Sequence, residues 1–316
     1  KINDDLKNYK NYHYTKEKSF YNKLFKIIKN VNTKYVMIIA DDDLACVDTL
    51  EKCVSFLEQN NEFVSAQGSF IDFWYDDNNK IDICVRNPSI SAIDSNILET
   101  DSNLRINKSM NPYMHHVYSI HRKNVLKDAL NLSRKLKNNP AAEINITLFG
   151  SIFGKHKMIE CLYVCRQVVP ISKINFTKSE NFLEWLNNKK NKNYIKEWVN
   201  QLSIIHSNIN NQSYDDANKT IFDKINSFNK KKLGLKSLSK NIIKFFIPKS
   251  FLNYFRHPLY YKKSWPPTKE EANKIRKLST KELFYPWSDK ESKSQWIKIH
   301  NFLKKYGKVE DNSFKI

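Results

Sequence analysis

The chain has 316 residues, 41% of them apolar and 13% aromatic, which suits a packed core and excludes a disordered polymer. Its net charge of +20 is uneven: residues 1–170 carry 23 basic and 20 acidic side chains, residues 171–316 carry 30 and 13. No apolar run reaches the ~18 residues of a spanning helix, and five scattered cysteines without CxxC spacing support neither a zinc ribbon nor a disulfide framework.

Residues 1–18 are polar and aperiodic, and no Met opens the chain, so a fragment is expected. Phe20, Leu24, Ile27, Ile28 and Val31 then recur at helical spacing, predicting an amphipathic helix over Ser19–Asn32. Tyr35–Ala40 is a short uncharged run that reads as a buried strand, and it leads directly into Asp41-Asp42-Asp43. Asp48 and Glu51 have the spacing of a capping box for a helix whose inner face is Leu50, Cys53, Val54 and Leu57. Phe63–Ile71 is a second strand, Asp76–Asn79 a turn and Ile81–Val85 a third strand; 86–112 is a long polar loop. Val117–Ile120 reads as a strand, Val125–Leu136 as a helix, and Met158–Cys165 as a strand ended by Arg166. Between the last two, Ile144, Leu148, Phe149 and Ile152 form a helix face that places Glu143 in the first turn. The fold class is therefore α/β with a mostly parallel sheet, and residues 171–316 form a basic helical region carrying helical patterns around 181–206, 216–228, 270–285 and 292–305.

Three adjacent carboxylates repel one another and are held together most easily near a cation. Oxygen donors at the carboxyl end of a strand suit Mn²⁺ or Mg²⁺ beside the phosphates of a nucleotide. Taken alone, the triplet reads equally well as a solvated turn, and Glu143 as an acid placed favourably against a helix dipole. His115, His116 and His121 lie around the predicted Val117–Ile120 strand and suit structural roles better than ligation. Arg166 and Lys155 are candidates for a diphosphate contact. Trp185, Trp198, Trp265, Trp287 and Trp296 read as packing residues.

Tyr35–Leu44, then Val47-Asp48-Thr49-Leu50, then Ala66-Gln67-Gly68, resembles the family 2 glycosyltransferases of GT-A fold. In that family a strand ends in an Asp-rich "DxD" motif followed by a helix, and a later acidic pair at a helix start supplies the base. The resemblance covers about residues 19–166, with Val47 where a proline usually stands and Ile144 in place of the second acid of the pair. It implies an incomplete GT-A catalytic domain over 1–170 that inverts configuration while transferring a sugar from a nucleotide-sugar donor to a hydroxyl of a glycan, polysaccharide or lipid-linked acceptor. It also implies Asp42 as the principal Mn²⁺ or Mg²⁺ ligand, with Asp41 or Asp43 as companion, and Glu143 as catalytic base. The competing readings are a metal-dependent phosphoryl-transfer enzyme or nuclease and a non-catalytic binding module.

Between Lys224 and Lys269 lie twelve Lys or Arg residues and no acid, interleaved with aromatics. That composition fits peripheral contact with an anionic membrane by a cytoplasmic protein at the inner face, where a lipid-linked acceptor would be met. The competing reading is solvated helices whose aromatics pack on the catalytic domain; nucleic acid is disfavoured, since no binding motif accompanies the charge. Salt-sensitive co-sedimentation with anionic but not neutral liposomes separates the two.

Overall fold

The computed structural model describes residues 16–75, 81–86, 96–110, 113–167, 182–234 and 294. The predicted turn at 76–79, the helical patterns at 270–285 and 292–305, Trp265, Trp287 and Trp296, and most of the basic segment 224–269 lie outside these residues. Helix α1 (Phe20–Asn30) is capped by Ser19, and Tyr21 and Ile28 form its buried face, leaving Phe20 exposed. β1 (Tyr35–Met37) and β2 (Leu44–Ala45) flank the acidic triplet, and α2 (Val47–Gln59) follows. α2 begins one residue before the predicted cap. Cys46 is its N-cap residue and Asp48 falls in the first turn, so no capping box forms.

β3 (Phe63–Tyr75) and β4 (Ile81–Arg86) pair antiparallel. Then come α3 (Ser102–Ser109), β5 (Ile120–Arg122), α4 (Lys123–Ser133), α5 (Asn139–Phe153) and β6 (Lys155–Gln167). The strand order is β1-β5-β3-β6-β2, with β4 attached to β3. Only β3 and β6 pair in parallel; β5 stands antiparallel between β1 and β3, and β2 is antiparallel to β6. The architecture is α/β, but among the described strands the sheet is mixed rather than mostly parallel. An apolar run does not give a strand's direction, nor here its burial: β1, expected to be buried, is a half-buried strand at one end of the strand order, with Ile39 just past it exposed. β1, β3 and β6 nevertheless run the same way, and the register sets the end of β1, Met37, level with Ile120, Ala66 and Lys157, so β3 and β6 run on past it.

α3 lies inside the segment read as loop. Its buried side chains, Ser102, Arg105, Ile106 and Ser109, have helical spacing but are mostly polar, so no hydrophobic period marks them. Arg105 donates to the carbonyls of Ser151 and Ile152 at 2.8 and 3.0 Å, satisfying the C-terminal end of α5. Arg122 does the same for α2, donating to the carbonyls of Leu57 and Asn60 at 2.7 and 3.1 Å. At Gly68 an added Cβ would lie 2.7 Å from the Cys161 carbonyl and the Tyr163 Cβ, so only glycine lets β3 and β6 meet at their irregular register.

Beyond residue 181, α6 (Phe182–Asn187), a 3₁₀ turn (Lys189–Asn191), α7 (Lys192–Asn210) and α8 (Tyr214–Gly234) follow. Trp185, Trp198, Leu202, Ile221 and Ile225 from this region share one core with Leu130, Leu148 and Ile152. Trp198 donates its indole N–H to Asn145 Oδ1 at 2.8 Å, and Asn145 in turn donates to the Ala129 carbonyl at 2.9 Å. Both described tryptophans of this region are packing residues, as their spacing predicted.

His121 and His156 flank Ser65 in one row across β5, β3 and β6, and His116 stacks on His156 at 3.9 Å. All three histidines are buried, as is His206. Burial pushes His116 down to about 3, His121 and His206 to about 4, and His156 well below its usual value. Each is therefore neutral when folded, while the unfolded chain takes up protons below pH ~6.5. The sign follows from linkage: stability is full above that pH and falls as pH drops towards 4. Each histidine contributes a slope of up to ~1.4 kcal/mol per pH unit, so four together rival a typical total stability of ~5–15 kcal/mol. Glu143, whose carboxyl is pushed up by burial, acts in the opposite direction but is one group. The urea midpoint should be flat above pH 7 and collapse between pH 6 and 4; a midpoint unchanged down to pH 5 would contradict the neutral assignment.

Candidate active site

Three segments distant in sequence meet just past the carboxyl end of β1. The acidic turn leaves β1 there. Tyr118 and Ser119 precede β5, and because β5 is antiparallel to β1 its start adjoins the end of β1. α5 enters β6 through Gly154 alone, at the amino end of that strand. At ~1.5 Å rise per residue its fifteen residues reach back over the sheet, bringing its N-terminal part and Glu143 to the same place.

β1 is shorter than its apolar run. The ladder with β5 covers Tyr35–Met37 because β5 itself begins only at Ile120, not at Val117 as predicted; residues 117–119 form a turn closed by Ser119 N–H on the His116 carbonyl at 3.0 Å. Residues 38–43 then carry the chain from β1 at one edge of the sheet to β2 at the other. Asp41 and Asp42 sit exposed in a turn closed by the Asp43 N–H on the Ala40 carbonyl at 3.3 Å, and Asp43 is partly buried.

Tyr163 on β6 braces both sides of this arrangement. Its carbonyl accepts from the Cys46 N–H at 2.8 Å, just after the acidic turn, and its phenol donates to the Tyr118 carbonyl at 2.9 Å. The Tyr118 phenol registers what surrounds it. Burial raises it most, the Asp43, Glu143 and Asp42 charges raise it further, and Arg166 opposes them. The triplet and Glu143, about a hundred residues apart in sequence, thus act on one side chain.

Glu143 stands in the second turn of α5, not the first. The helix starts at Asn139, capped by the Asn138 side chain on the Ala141 N–H at 2.9 Å. The helix-dipole explanation therefore loses its geometry, since that effect fades beyond the first turn. The carboxylate is partly buried and has no hydrogen-bond or ion-pair partner among the described residues. Burial pushes its pKa up, and Arg166 pulls the other way. An unpartnered carboxyl with a raised pKa at a sheet edge is a group suited to taking a proton.

Among the described residues, no three His, Cys, Asp or Glu side chains converge closely enough to hold an ion unaided. The exposed Asp41 and Asp42 carboxylates, with Asp43 beside them, fit Mn²⁺ or Mg²⁺ through hard oxygen donors. Such ions commonly take one or two carboxylates and complete their shell with water and substrate phosphates. Of the two basic residues considered for a diphosphate, Arg166 lies near the carboxyl end of β6 beside this site. Lys155 starts the same strand, eleven residues before Arg166, with its ammonium 5.7 Å from the Phe63 ring centre. His116 and His121 are buried in the structural row below the site.

Tyr21, Tyr113 and Tyr118 were not singled out by sequence. Each phenol feels the Glu143 charge, so three aromatic hydroxyl groups surround that carboxylate. The signal available was Tyr113 and Tyr118 bracketing the His115-His116 pair, a cluster too common in composition to separate from core. A cleft of about 820 Å³ opens elsewhere, between α2 and β6, lined by Asp48, Lys52, Phe56, Lys157 and Met158 among others. It is a surface groove of mixed charge containing none of the site carboxylates, so the chemistry of the sheet edge outweighs its size. No helix among the described residues is long and apolar enough to cross a membrane. Compared with known proteins, the chain matches no family model and no curated protein.

Proposed function

We propose that the chain is a metal-dependent inverting glycosyltransferase of GT-A type. One observation carries this reading: an exposed Asp turn and an unpartnered, partly buried glutamate act on the same phenol just past the carboxyl end of β1. A nucleotide-sugar transfer needs those two functions side by side, charge neutralisation at the leaving diphosphate and a base at the attacking hydroxyl.

In this mechanism Asp42, with Asp41 or Asp43, would hold Mn²⁺ or Mg²⁺, which supplies electrophilic neutralisation of the diphosphate. Glu143 takes the proton from the acceptor hydroxyl. That oxygen forms a bond to the anomeric carbon from the face opposite the diphosphate, the sugar–phosphate C–O bond breaks, and its electron pair leaves on the diphosphate oxygen. The anomeric configuration inverts. Arg166 adds positive charge there, and the buried side chains of Tyr163 and Phe70 keep water from reaching the site through the sheet. The test is release of nucleoside diphosphate from a panel of UDP-, GDP- and dTDP-sugars with and without Mn²⁺. Metal-dependent release from at least one is expected; none from any, in a folded preparation, rejects the reading.

A further inference from the structure

Glu143 and Tyr113 are two partly buried side chains of the site with no hydrogen bond among the described residues. The Tyr113 hydroxyl is buried and makes no well-formed hydrogen bond among the described residues, although the Thr147 hydroxyl lies close to it. An unmade hydrogen bond at a buried hydroxyl costs roughly as much as a typical bond contributes, so such groups ordinarily have a role. The ring is well fixed. His115 lies edge-on at 4.5 Å, Phe228 of α8 edge-on at 6.3 Å, and the backbone forms a bridge with Met110.

Its position relative to Glu143 follows from α5. Thr147 is one turn beyond Glu143 on the same helix face, and its hydroxyl donates to the carbonyl of Met114, the residue after Tyr113, at 3.1 Å. The 113–114 segment therefore lies along the helix face that carries Glu143. The Thr147 hydroxyl is near enough to temper the upward push of burial on the Tyr113 phenol, but its proton is committed to Met114. The phenol is protonated at working pH and has a hydrogen to donate. Two acceptors lie along this helix face, the Thr147 hydroxyl oxygen and, one turn away, the Glu143 carboxylate, and the carboxylate is the stronger acceptor because it is charged.

We propose that Tyr113 is the positioning residue of Glu143, donating its phenolic hydrogen to one carboxylate oxygen when the side chain turns into its reacting orientation. The other oxygen is then aimed at the sheet edge, where a hydroxyl would lose its proton. The bond also favours the ionised form of a carboxyl that burial alone would leave partly protonated, and a base must be ionised to work. The identity of the reaction rests on the glycosyl-transfer reading, but the pairing of these two residues does not.

The experiment is an NMR titration of the ¹³C-labelled Glu143 carboxyl in the full chain, with Glu143→Gln to assign the signal. In Tyr113→Phe the Glu143 titration should move up by about one pH unit, a tenfold change in its protonation equilibrium, and by linkage the urea midpoint should fall only at pH values where Glu143 is ionised. Fluorotyrosine at position 113, a more acidic donor of the same shape, should move it down. An unmoved titration in both would overturn the proposal, as would a loss of stability in Tyr113→Phe that is equally large where Glu143 is protonated, which would assign the hydroxyl to a structural bond such as one with Thr147. A moved titration in a protein that turns over no nucleotide sugar would sustain the pairing and reject the reaction.

Discussion

Asp42→Ala is expected to abolish Mn²⁺- or Mg²⁺-dependent turnover while leaving unfolding cooperative and the melting temperature unchanged or slightly raised. The residue is exposed in a turn whose closing hydrogen bond is made by backbone, from Asp43 to Ala40, so no buried contact is lost. Removing one of three neighbouring carboxylates also relieves repulsion in the metal-free protein. An ion held by two or three carboxylates and a substrate diphosphate, by contrast, loses a large share of its protein ligands with one substitution. Chelation of the wild type should reproduce the defect, and excess Mn²⁺ should reverse it only there. Wild-type turnover in Asp42→Ala would remove the metal assignment, and loss through unfolding would give the turn a structural role.

What could be read in the sequence was what obeys a period or a composition rule. The strand entering the acidic turn, the helices on both sides of it and the burial of Trp185 and Trp198 follow from apolar spacing. Strand direction did not follow, because β5 is three residues long and reaches β1 and β3 from a turn rather than through a crossover helix. α3 was illegible for a different reason. Its inner face is Ser102, Arg105, Ile106 and Ser109, and the energy there comes from hydrogen bonds that Arg105 makes to the end of α5. Polar burial leaves no hydropathy trace. The same limit applied at the site: Asp41–Asp43 and Glu143 were visible as charges in unusual company, whereas Tyr113, Tyr118 and Tyr163 acquire meaning only from where β5, β6 and α5 end.

Glu143→Gln should lower transfer by ~10²–10⁴-fold, the range for removing a general base, while donor binding survives. The amide keeps the shape and removes the proton acceptor, so the bound nucleotide, held at the opposite side of the reacting carbon, has no reason to leave. The structural consequences should be small and favourable. Glu143 is a partly buried carboxyl without a hydrogen-bonded partner among the described residues, and its pKa is pushed up by burial. A group whose folded pKa is raised costs stability once pH exceeds that value, because the unfolded chain ionises more easily than the folded one. Replacing it with a neutral isostere removes that cost, so the variant should be at least as stable as wild type near pH 7.5 and lose that advantage towards pH 4. An activity defect paired with unchanged or increased stability is the signature of a functional acid rather than a structural one. Measuring turnover, donor affinity and the urea midpoint at pH 7.5 decides it. A drop below tenfold, or a collapse of donor binding along with it, would assign the base elsewhere and leave Glu143 as a carboxyl the fold merely tolerates.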